Sequence, residues 1–131
     1  MKNEKTIILL TDDDEDDRWF LRQAIERSID GVAVLEARNG EEALAVLAER
    51  FVHLVVLDMN MPGLTGLETL RLLRLDTKLG HTPAVMLSTS DQPALVRDAY
   101  RKGINCYIKK PVRVGEYEQI AKALKTCFLT F

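Results

Sequence analysis

The chain has 131 residues, about one domain's worth, with 47% hydrophobic and 29% charged residues and a net charge of −2. That balance is ordinary for a soluble globular protein, and it supplies no global field for nucleic acid or an anionic membrane. No run approaches the roughly 20 apolar residues that span a bilayer, and the start, Met1-Lys2-Asn3-Glu4-Lys5, has no signal-peptide character, so a cytoplasmic location is expected.

Thr6–Thr11 is a β-rich apolar run and is read as the first strand. Asp12 to Asp17 is an unbroken run of six acids. Leu21, Ala24, Ile25 and Ile29 then fall at helical spacing, with Trp19 and Phe20 at or beside the stripe. Glu15, Asp16 and Asp17 are expected to be a solvated first turn, where the helix dipole favours negative charge. Asp30-Gly31 ends this helix, and Val32–Ala37 reads as the second strand. Asn39-Gly40 reads as the turn into a helix opened by Glu41 and Glu42, with Ala43, Leu44, Val46 and Leu47 on its apolar side.

The third strand is the most informative stretch. Leu54-Val55-Val56-Leu57 is continuously apolar, as in a strand buried on both faces, and Asp58 follows directly. Met59-Asn60-Met61-Pro62-Gly63 then makes a turn. Thr65-Gly66 leads into a helix carrying Leu67, Leu70, Leu73 and Leu75, followed by a polar loop over 76–82. Pro83–Leu87 is the fourth strand, ending in Ser88-Thr89-Ser90. Asp91 is expected to cap a helix with Pro93 in its first turn and Gly103 as its stop. Asn105–Ile108 is a short fifth strand before Lys109-Lys110-Pro111. The last helix presents Tyr117, Ile120, Ala121, Leu124 and Phe128 on one face.

Five strands alternating with five helices, without repeat or linker, predict a single α/β domain over 1–131 with a doubly wound parallel sheet. In such a sheet the carboxyl ends of the strands share one rim, where sites are built. That rim would gather Asp12, Asp13, Asp58, Ser88 and Lys110. Three neighbouring carboxylates repel one another and resist ionisation, and a hard divalent cation such as Mg²⁺ relieves the conflict. Cys106 and Cys127 lack metal-ligand spacing and are read as reduced, mostly buried thiols. His53 and His81 share no motif and are read as surface or loop histidines.

Together, an apolar strand ending in Asp12-Asp13, the stretch Asp58-Met59-Asn60-Met61-Pro62-Gly63, Ser88 after the fourth strand and Tyr107-Ile108-Lys109-Lys110-Pro111 resemble the receiver domain of two-component response regulators. The resemblance covers nearly the whole chain, with the motifs in family order. It implies a flavodoxin-like sheet of order 2-1-3-4-5 and a signalling module rather than a turnover enzyme. Its chemistry would be limited to self-phosphorylation and autodephosphorylation. Asp58 would accept a phosphoryl group from a sensor histidine kinase or phosphotransfer protein. Asp13, Asp58 and the Asn60 backbone carbonyl would bind Mg²⁺ (or Mn²⁺) directly, and Asp12 through water. Ser88 and Lys110 would hold the phosphoryl group, Ser88 and Tyr107 would form the switch, and Asn60 and Ser90 would tune hydrolysis. The Lys110–Pro111 peptide is cis in the family. Thr11 departs from the commoner apolar residue before the acid pair.

The chain ends about where such a domain does, so output by contact with a downstream protein is expected, without direct DNA or membrane binding. A homodimer through the last helix and Phe128–Phe131 is a further expectation. Two other functions fit less well. Aspartate-nucleophile phosphatases place D-x-D on the first strand and usually carry a cap insertion. An FMN binder needs a phosphate loop after the first strand, where six acids stand here.

Overall fold

Residues 5–129 are described by the computed structural model. The elements follow in strict alternation: β1 (Thr6–Thr11), α1 (Glu15–Ser28), β2 (Val32–Ala37), α2 (Gly40–Glu49), β3 (Leu54–Asp58), α3 (Gly66–Leu75), β4 (Ala84–Ser88), α4 (Pro93–Arg101), β5 (Cys106–Lys109) and α5 (Glu116–Phe128). All strand pairs are parallel, and the sheet order is β2-β1-β3-β4-β5. The central β3 is buried along its full length, which is why its sequence runs apolar without alternation. Each of its large aliphatic side chains contributes about 1.5–3 kcal/mol by leaving water.

The period of two divides the strand side chains between two cores. Ile8, Leu10 and Val56 pack with Leu21, Ile25, Tyr117 and Leu124 under α1 and α5. Leu9, Val55 and Leu57 pack with Leu70, Leu73, Met86 and Ala99 on the opposite face. Gly66 allows α3 to start close against the end of β3. A Cβ there would overlap the Asp58 carbonyl oxygen and press on Met59 and Met86. The capping box of Thr65 and Glu68 fixes the same helix start from outside.

Several local expectations change. Asp14 caps α1, accepting from the Asp16 and Asp17 amides. Asn39 caps α2 through the Glu42 amide, so Gly40 is already helical. Asp91 does not cap α4. The cap position is Gln92, without a side-chain bond, because Pro93 lacks an N–H and sets the first helical position one residue later. β5 is displaced by one residue because Asn105 turns its side-chain oxygen to the Ala84 amide (2.8 Å) and the Arg74 guanidinium (3.0 Å).

His53 is not a bystander: its Nδ1 accepts from the Ile7 amide at 3.0 Å, while its own amide donates to the Ile7 carbonyl at 2.8 Å. It therefore closes the β1–β3 ladder at its open end. Cys127 is exposed and Cys106 half-buried, rather than both being buried. Phe128 and Leu129 pack against the α1–α5 core and are partly buried there. Thr130 and Phe131, the rest of the expected dimer patch, lie outside the described residues. Among the described residues, no helix is long and apolar enough to cross a membrane.

Candidate functional site

Parallel pairing brings the ends of β1, β3, β4 and β5 to one rim, as the topology requires. Backbone bonds hold them in place: the Asp12 amide donates to Ala37, the Met59 amide to Leu87 (2.9 Å) and the Lys110 amide to Ser88 (2.7 Å). Asp58 at the end of β3 is 5% exposed, Asp12 after β1 is 6% exposed, and Ser88 at the end of β4 is fully buried. Asp13 faces solvent. Carboxylate oxygens of Asp12, Asp13 and Asp58 lie within 4.8 Å of one another. At that spacing each pair of negative charges repels by about 3 kcal/mol in a partly screened site.

Lys110 is the cation inside this group. Its Nζ lies 2.9 Å from Asp12 Oδ2, 2.9 Å from Asp17 Oδ2 and 3.3 Å from Asp58 Oδ1. One ammonium does not balance this much negative charge, and Asp58 shows the result. Burial, then the charge of Asp12, push its pKa up to about 7, against the opposing pull of Lys110 and the Asn60 amide. Burial also raises Asp12, opposed by the Asp14 amide and Lys110. For Lys110 burial acts downward, but its bonds to Asp12 and Asp17 and the charges of Asp12 and Asp58 prevail, so its pKa is raised.

Asp12, Asp13, Asp58 and Lys110 are thus brought together as the sequence suggests. Asn60 reaches Asp58 through its backbone amide, and its side chain is in an exposed residue. Ser88, Ser90 and Tyr107 form a connected group beside the carboxylates. The Ser90 amide donates to Ser88 Oγ at 3.1 Å, and the Tyr107 hydroxyl donates to the Ser90 carbonyl at 2.6 Å. Tyr107 is half-buried, with its ring on the α4 side of the sheet.

One implied feature is corrected. The Lys110–Pro111 peptide is trans, as no cis bond occurs among the described residues. Trans is the intrinsically preferred isomer even before proline, by about 0.5–1 kcal/mol. The loop makes its Lys110-to-Ser88 backbone bond with that isomer in place.

Three site neighbours go beyond the sequence reading. Asp17 is not merely a solvated acid: it binds Lys110 and also accepts from the Tyr117 hydroxyl at 3.2 Å. Arg18 is buried and donates to the Asp12 carbonyl oxygen at 2.6 Å and to Glu36 at 2.9 Å, which fixes the loop bearing the acid pair. Tyr117, read only as an apolar face residue, supplies a hydroxyl to the site. The signal was in the α1 stripe. Extending Leu21, Ala24 and Ile25 back by one turn reaches Asp17 and Arg18 and leaves Glu15 and Asp16 outside. A cavity of about 10 Å³ lies beneath these groups, lined by Thr11, Asp12, Asp17, Lys110 and Tyr117 among others. Thr11 Oγ1 is buried with no hydrogen-bond partner among the described residues.

Known proteins share both the pattern and the geometry. The model of the response regulator receiver domain matches residues 8–123. The chemotaxis protein CheY of Pseudomonas aeruginosa is 33% identical over 104 residues, covering 79% of this chain and 83% of CheY. The sensory/regulatory protein RpfC of Xanthomonas campestris pv. campestris is 34% identical over 107 residues, 80% of this chain but only 14% of RpfC. Among solved structures, the phosphorylated cyanobacterial phytochrome response regulator RcpA superposes with a TM-score of 0.90 at 29% identity, covering 97% of this chain and 96% of RcpA. By its sequence match and its sheet, this chain belongs to the response regulator receiver domain family.

Proposed function

We propose that Asp58 accepts a phosphoryl group from a phosphohistidine on a sensor histidine kinase or phosphotransfer protein, in a Mg²⁺- or Mn²⁺-dependent reaction. The observation that carries this reading is a buried Asp58 carboxylate, 3.3 Å from the ammonium of Lys110 and clustered with Asp12 and Asp13. The donor set fits a hard divalent cation: three carboxylates converge, the spacing is within 4.8 Å, and the nearby positive charge falls short of the negative. Asp13, Asp58 and the Asn60 carbonyl would hold the ion directly and Asp12 through water. The bound ion would neutralise charge spreading over the phosphoryl oxygens.

In the transfer, a carboxylate oxygen of Asp58 attacks phosphorus as the phosphorus–nitrogen bond breaks. The imidazole departs with the bonding pair, leaving an acyl phosphate on Asp58. Lys110 pairs with a phosphoryl oxygen and the Ser88 hydroxyl donates to another, each by a short side-chain movement from a backbone fixed at the sheet's rim. By the family resemblance, the Asn60 and Ser90 side chains would tune attack of water on the acyl phosphate. Movement of Ser88 toward the phosphoryl group would disturb the Ser88–Ser90–Tyr107 chain of bonds, and Tyr107 would carry the change to the face formed by α4, β5 and α5. Output is then contact with a downstream protein in the cytoplasm, and a homodimer would use the last helix and Phe128–Phe131. A kinase as donor is supported by a matching segment within the histidine kinase P4 of Formosa agariphila, 28% identical over 116 residues.

The test is intact-mass spectrometry after incubation with Mg²⁺ and acetyl phosphate. The wild-type protein is expected to gain the mass of one phosphoryl group, and Asp58→Ala to gain none. Equal labelling of the two proteins would remove Asp58 from its role. No label on the wild type, under conditions that label another receiver, would end the reading altogether.

A further inference from the structure

Lys110 is shared with a residue outside the phosphoryl-accepting group. Its Nζ stands 2.9 Å from Asp17, the same distance as from Asp12, and 3.3 Å from Asp58. Asp17 is itself braced. Its backbone amide donates to Asp14 Oδ1 at 3.0 Å, and its second carboxylate oxygen accepts from the Tyr117 hydroxyl. Tyr117 is buried and stacks on Phe20, with ring centroids 5.9 Å apart and planes 23° from parallel. Asp17 comes from α1 and Tyr117 from α5, so the seam between these helices presents a fixed carboxylate to the Lys110 ammonium.

The geometry points to Asp17 as a positioning residue that competes with Asp58 for Lys110. Phosphorylation must draw the ammonium from Asp17, which sets back the reaction and couples it to the α1–α5 seam. This rests on the proposed phosphoryl acceptance by Asp58. An acyl phosphate carries close to two negative charges where the Asp58 carboxylate carried one, a net gain of about one. That concentrates the attraction for Lys110 at Asp58, while Asp17 keeps only the Tyr117 hydroxyl. Charge-assisted bonds of this kind are strong enough for their exchange to govern a rate. The seam then reports the phosphorylation state by a path separate from Tyr107, which lies on the opposite face of the sheet.

The experiment measures the rate of phosphoryl uptake from acetyl phosphate at saturating Mg²⁺ in wild type, Asp17→Asn, Lys110→Met and the double variant, each shown folded by its melting curve. Asp17→Asn is expected to accelerate uptake about fivefold, the size of one partly buried ion pair. In the Lys110→Met background the same change is expected to alter the rate less than about twofold, because the competition has no object there. Asp17→Glu, which keeps the charge, should stay close to wild type. An unchanged or slower Asp17→Asn, with the wild type labelled on Asp58, overturns the competition and leaves the proposed function standing. Equal acceleration in both backgrounds also overturns it, since the effect is then one of general charge. A wild type that takes no label on Asp58 removes both. A second readout needs no variant: the Tyr117 ring resonances should shift on phosphorylation, and resonances that stay in place contradict the coupling.

Discussion

Lys110→Met is expected to lower the stability of the metal-free protein at pH 8 by about 3–5 kcal/mol, the usual result of removing one partner from a buried ion pair. For a chain of this size that is a fall in melting temperature of roughly 10 °C or more. Methionine keeps the length of the side chain, so the loss reports the charge. Lys110 is 10% exposed, and it is the cation that bonds Asp12, Asp17 and Asp58. The raised pKa of Lys110 means that its contribution is fully present below the unfolded lysine value and is lost only as pH rises through the higher folded value. Between pH 5 and 8 the lysine therefore stays charged, and the pH dependence of the effect comes from the acids. The cost should be largest where they are ionised and should shrink as pH falls toward 4. Thermal melts of the two proteins across that range check it. A cost independent of pH would show that packing, not charge, sets the contribution of Lys110.

The converse applies to Asp58. Its pKa stands at about 7 instead of the ordinary 3.8, so the folded state holds a proton that the unfolded state has already released. Stability contributed by this group is present in full below about pH 4, declines between pH 4 and 7, and is lost above. The displacement is equivalent to about 4 kcal/mol of destabilisation at pH 8. Asp58→Asn removes that charge but also a bond to Lys110, so a net gain of about 2 kcal/mol is expected at pH 8 without metal, vanishing near pH 4. Denaturant melts at the two pH values measure it. A variant less stable than wild type at pH 8 would mean that the buried carboxylate is comfortable as an anion.

Much of this site was legible because strand ends are the easiest feature of a parallel sheet to place from sequence. Leu54–Leu57 marks a strand buried on both faces, so Asp58 must stand at the sheet's rim. The acids after Thr11, Ser88 after β4 and Lys110 after β5 follow by the same topology. What escaped depends on how helices turn and pack. Asp17 looked like its neighbours in an acid run; the stripe of α1 puts it on the inner face, and the packing of α1 against α5 gives it Lys110 and Tyr117 as partners. Arg18, for which the sequence offered no reading, is buried against the Asp12 carbonyl. His53 replaces a strand's missing acceptor, a role with no local motif. Asp91 failed as a cap because the geometry of Pro93 outweighed the preference for an acidic cap.

The central claim is that the crowded carboxylates are relieved by a divalent cation, and that Asp58 can take on phosphoryl charge for the same reason. Calorimetric titration of the metal-free protein with Mg²⁺ tests it most directly. One site is expected, weakened by Asp13→Asn and by Asp58→Asn. At pH 6.5, in buffers of different ionisation enthalpy, binding should release a substantial fraction of a proton from Asp58. A folded protein that shows neither heat of binding nor a rise in melting temperature with Mg²⁺ would contradict the account, as would binding unchanged in both variants.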